Sequence, residues 1–118
     1  AAAEAGDAAA AGKALDLAAD SGGEAGLYGD LAGFRALLIK LPDMAPEARI
    51  DALTPYLVEG GPFRLLALEQ RAVARLESGD AAGARVDAEA ALSDPMASGQ
   101  LRRRLNFLMD LLPKGDAA

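Results

Sequence analysis

The sequence predicts an all-α chain of antiparallel helical hairpins, and three observations predict it. Alanine and leucine dominate while β-branched residues are few, and such side chains lose least freedom in a helix. Apolar residues recur at helical spacing and do not alternate. Glycine and proline gather in short corners: Gly6-Asp7, Ser21-Gly22-Gly23, Pro42 to Pro46, Gly60-Gly61-Pro62, Gly79-Asp80 and Asp94-Pro95 through Gly99, where helices end and turns begin.

These corners divide the chain into six predicted helices. The first covers 7–19, and the stretch before it, "AAAEAGD", reads as the last turn of a helix whose start is missing, so the chain is expected to be a fragment opening on half a hairpin. The second covers 24–41. Its Gly26, Gly29 and Gly33 share one helical face, where missing side chains let another helix approach, at about 1 kcal/mol each relative to Ala. Pro42 stops it, and Pro46 suits the first turn of the third helix, 46–58.

The fourth helix is predicted over 62–78 and the fifth over 81–93, joined at Gly79-Asp80. Gly79 can take the left-handed conformation that ends one helix, and Asp80 can cap the free N–H groups of the next. A connection this short forces an antiparallel pair. In the sixth helix, 99–112, Leu101, Leu105, Leu108 and Leu112 form a stripe to be buried.

The elements repeat. Gly6-Asp7 and Gly79-Asp80 lie 73 residues apart, about twice 36, and Ala48-Arg49-Ile50-Asp51-Ala52 matches Ala84-Arg85-Val86-Asp87-Ala88 at a separation of 36. A period near 36 with two helices per unit implies hairpins that stack to bury their faces. One domain over 1–118 is expected, made of a half hairpin 1–21, hairpins 22–59 and 60–94, and a capping helix 98–112.

With Gly79-Asp80 as the hairpin corner, the chain resembles a tetratricopeptide array. Leu68 and Ala72 fall at the large and small positions of the first helix, and Ala84, Ala88, Ala91 and Leu92 at the packing positions of the second. Pro95 falls one residue early, and Arg71 and Arg75 stand where a Leu and a Tyr are usual. The resemblance implies a short right-handed stack ending in a capping helix.

From Ile50 to Leu112, "GGPFRLLALE", the "ESGDAAGA" corner and the Leu-rich last helix look like the tetratricopeptide-like domain of bacterial proteins related to the ancillary subunit of the Sec translocon. That resemblance implies a domain anchored to the inner membrane by an N-terminal helix. The domain would face the periplasm and contact translocon subunits and periplasmic chaperones. An excess of Arg over Lys amid abundant Ala and Gly points the same way, to a high-GC bacterial gene.

Composition narrows the chemistry. At 118 residues the chain can bury roughly two-thirds of its unfolded surface, one modest core. A net charge of −6 argues against nucleic acid. Without His or Cys the chain has no zinc ligand set of the usual kind, no thiol nucleophile and no Ser-His-Asp triad. No apolar run approaches the roughly 20 residues that span a bilayer.

Conspicuous motifs read as structure. "GGEAGLYGDLAGF" follows a helix and lacks the Gly-Lys-Ser/Thr ending of a phosphate loop. Arg102, Arg103 and Arg104 point about 100° apart, Arg103 opposite the buried stripe and the others on its flanks, as on a solvated capping face. Asp87 and Glu89 are expected on an exposed face. Nothing marks an opposed carboxylate pair, and Ser98 with three lysines offers no convincing nucleophile. No enzyme and no cofactor is expected.

A protein-recognition surface is what remains. By carry-over from the tetratricopeptide pattern, the groove is lined by Gly33, Leu37 and Lys40 on the second helix and by Leu66, Glu69, Val73, Leu76 and Glu77 on the fourth. Such a lining favours an extended or helical peptide with some basic character. Alternatively, a neighbouring repeat covers Leu66 and Val73, and missing repeats or a second copy fill the groove. Phe107 and Leu111 widen the apolar face of the last helix and are candidates for a homodimer contact or for packing on absent parts.

Overall fold

In a computed structural model of the chain, residues 26–114 are described, and the helix expected over 7–19 lies outside them, as does the Gly6-Asp7 corner. Among the described residues all regular structure is helical: α1 (Gly26–Lys40), α2 (Pro46–Leu53), α3 (Arg64–Glu77), α4 (Ala81–Leu92) and α5 (Gly99–Leu111), with 3-10 turns at Leu41–Asp43 and Thr54–Tyr56. None of these helices is long and apolar enough to cross a membrane. The chain divides into two compact units between Met44 and Ala45, inside the Pro42 to Pro46 corner.

In the first unit, α1 gives way at Lys40 to a 3-10 turn carrying Pro42 in its first positions, as expected where a proline cannot continue the helix. Phe34, Ala36 and Leu41 are buried.

The second unit opens with Ala45 extended and Pro46 in the first helical turn of α2, the conformation that a following proline favours. α2 ends five residues before the predicted Val58. Pro55 is the cause: it has no N–H to continue the ladder, so the chain tightens into the turn Thr54–Tyr56. Gly60, at φ +77°, completes the reversal, and Tyr56 meets Phe63 edge-to-face with ring centres 6.1 Å apart.

At the α3–α4 corner Gly79 has φ +90°. Asp80 N donates to Arg75 O at 2.8 Å, and one Asp80 carboxylate oxygen accepts from Gly83 N at 2.9 Å. One residue thus helps close the old helix and caps the new one. Residues equally distant from Gly79 then face each other, Arg71 with Asp87 and Arg75 with Gly83, so the hairpin is antiparallel.

Its interface is made by Leu68 and Ala72 against Ala84, Ala88 and Ala91, and α5 adds Leu101, Leu105 and Leu108, with its C-cap Leu112, to the same core. Alanine along α4 lets the backbones approach, and the leucines of α5 fill the volume above them. The α5 stripe is thus the one predicted, whereas Leu92 is only half-buried. Ser98 caps α5, its Oγ accepting from Leu101 N at 3.1 Å.

The sequence match at a separation of 36 does not extend to burial. Ala48 and Asp51 are exposed, while their counterparts Ala84 and Asp87 are buried. The short α2, cut by Pro55, buries Leu53 instead.

Candidate protein-binding groove

Two helices of the second unit, α3 and α5, border an open groove of about 500 Å3, lined from α3 by Glu69, Val73 and Leu76 and from α5 by Arg103, Arg104, Phe107, Leu108 and Leu111. The α3 residues follow i, i+4, i+7 spacing, one stripe of a helix. On α5 the core leucines form one stripe, and Phe107 and Leu111 lie just beside it, 66% and 57% exposed. The groove surface is therefore almost wholly apolar, with charge confined to Glu69 and the two arginines.

Those charges differ in their partners. Arg104 donates to both oxygens of Glu69, from Nε at 2.7 Å and Nη2 at 3.0 Å. This fork ties α5 to α3, and its hydrogen bonds raise the Arg104 guanidinium above its ordinary pKa. Arg103 is exposed, with no ion-pair partner among the described residues.

Of the residues assigned to the groove from sequence, Glu69, Val73 and Leu76 converge, and Phe107 and Leu111 join them, so two sets considered separately form one surface. Leu66, 40% exposed, stands outside that lining. Glu77 also stands outside it, its oxygens accepting from Arg49 Nη1 at 2.9 Å and Nη2 at 2.7 Å. Those bonds hold its carboxyl below the ordinary carboxylate range and raise Arg49. Gly33, Leu37 and Lys40 belong to α1 in the first unit, Gly33 and Leu37 half-buried and Lys40 exposed.

Two sequence expectations are corrected by side-chain geometry. Asp87 is not on an exposed face: it is 1% exposed and accepts from Arg71 Nε and Nη2 at 2.9 and 2.8 Å and from Arg75 Nη1 at 3.1 Å. The signal was present, because Asp87 continues the Ala84, Ala88, Ala91 stripe at i+3 spacing. Arg75 and Arg71, about one and two turns from the corner on α3, are its complement. Glu89 is exposed, as expected.

The arginine run is likewise only partly a solvated face. Arg102 reaches back to the carbonyls of Leu92 at 2.8 Å, Asp94 at 2.9 Å and Ala97 at 3.3 Å, in the segment that joins α4 to α5. Arg103 and Arg104 are both exposed as expected, though Arg104 is paired with Glu69.

Among the described residues no group of three or more Asp or Glu side chains is arranged to hold a metal ion. Comparison with protein-family models, curated proteins and solved structures finds no match in any of the three.

Proposed function

We propose that the chain is a noncatalytic helical repeat module of tetratricopeptide type that binds protein partners through the α3–α5 groove. It would do so within a periplasmic protein, anchored to the inner membrane, that assists Sec-dependent secretion or envelope quality control. The observation that carries the binding reading is the groove itself, an open apolar surface on the α3–α5 face. Such surfaces mark interaction sites more often than chance exposure does.

Spacing supports the repeat reading. Glu69 and Arg104, which pair across the groove, are 35 residues apart, and Val73 with Leu108 and Leu76 with Leu111 keep that interval. An interval of one repeat between lining positions is what the first helices of successive units give in a stacked array. The envelope setting rests on the resemblance of residues 50–112.

A photocrosslinking residue at Val73 or Phe107 in the full-length protein, irradiated in its native envelope, tests the reading. A partner crosslinked from both positions and not from Val86, exposed on α4, is expected. Equal crosslinking from all three would remove the groove assignment. The exposure of Phe107 and Leu111 also favours a second reading, in which a further copy fills the groove. A light-scattering mass that stays monomeric across a dilution series would sink that one.

A further inference from the structure

The chemistry of the segment that fits the groove can be read from its geometry and charge. Along α5 the lining runs from Arg103 to Leu111, about 12 Å at helical rise. Two turns of a docked helix have that length, so apolar side chains at i, i+3 or i+4, and i+7 of a partner would cover it. At one end of this floor the charges do not cancel. Glu69 is neutralised by the two hydrogen bonds from Arg104, which leaves Arg103 as the uncompensated charge of the lining.

We propose that the groove binds an amphipathic helix whose apolar stripe covers Val73, Leu76, Phe107 and Leu111 and whose flanking carboxylate meets Arg103. This rests on the groove being a protein-binding surface. It also reverses the charge expected from sequence, where Glu69 and Glu77 suggested a basic peptide. Both carboxylates are engaged by arginines of the same chain, and Glu77 is not part of the lining. A partner lysine beside Arg103 would meet like charge at an apolar rim, a cost that separates right from wrong partners more than it sets affinity.

The test uses the full chain with two labelled helical peptides. They share one leucine stripe and differ only in carrying Glu or Lys at its flanks, and binding is read by anisotropy and by methyl NMR shifts of Leu76 and Leu111. The Glu peptide is expected to bind about tenfold more tightly at low salt, an advantage that shrinks as salt rises. Arg103→Glu should reverse the preference, and Phe107→Ala should weaken both peptides, with circular dichroism melts checking that each variant folds.

If the Lys peptide binds equally or better, the charge assignment falls and the groove reading stands. If neither peptide moves the methyl signals, the groove reading falls as well. Groove signals that shift with protein concentration alone, or that saturate with a long-chain fatty acid while both peptides fail, would overturn the proposal in favour of a second copy or a lipid.

Discussion

At the scale of the residue, the second unit is governed by carboxylates held in guanidinium forks. Asp87 is the most consequential because burial removes water as an alternative partner. Asp87→Asn should lower unfolding free energy by about 3 kcal/mol, near the lower end for breaking a buried pair, since Arg71 and Arg75 keep some solvent access. Urea denaturation measures it, and a loss below about 0.5 kcal/mol, the surface range, would contradict the buried role. Glu77 gives a pH prediction with a definite sign. Its carboxyl is lowered by hydrogen bonds from Arg49, so its contribution to stability is full above the unfolded glutamate pKa of about 4.3 and is lost as pH falls through the lower folded value. Carboxyl NMR titration should show a Glu77 midpoint below that of free glutamate, restored toward it in Arg49→Gln. An unchanged midpoint in the variant would show that Arg49 is not the cause.

At the scale of the element, what was legible in the sequence was punctuation. Pro42, Pro46, Gly79 and Asp80 act where their backbone chemistry requires, and the Leu101 to Leu112 stripe is buried throughout. Two matters escaped a reading by residue type. Pro55 shortens α2 because a missing N–H outweighs a continued apolar pattern. Asp87 escaped because an acid is assigned to water by default, although its helical phase puts it with Ala84, Ala88 and Ala91. The α3–α4 interface carries its own prediction. Ala72→Leu or Ala84→Leu inserts volume where both alanines are fully buried, and should destabilise by about 1 to 3 kcal/mol through overpacking. Thermal melts unchanged in both variants would show that the hairpin is packed differently.

At the scale of the whole molecule, the second unit separates stability from recognition along a single helix. Leu105 is fully buried, and Leu105→Ala should cost about 2 to 5 kcal/mol. Phe107, two residues on, is mostly exposed, and Phe107→Ala should leave stability within about 0.5 kcal/mol. Parallel denaturant curves decide it: a comparable loss in both would mean that Phe107 belongs to the core. The candidate site was legible in part for the same reason. Carry-over from the tetratricopeptide pattern supplied Val73 and Leu76, and helical phase supplied Phe107 and Leu111, but which helix α3 faces depends on packing across an interval of 35 residues. Glu69 and Arg104, opposite charges at that interval, were the trace of it.

Arg102 has a mechanical consequence. Its guanidinium pins α5 to the carbonyls of Leu92 and Asp94 at the end of α4, while Arg104 clasps Glu69 on α3. A helix fastened on two sides cannot swing outward without breaking charge-assisted bonds. Both contacts therefore oppose a widening of the groove. A segment that docks there meets walls already in position, so little of its contact energy goes into ordering them.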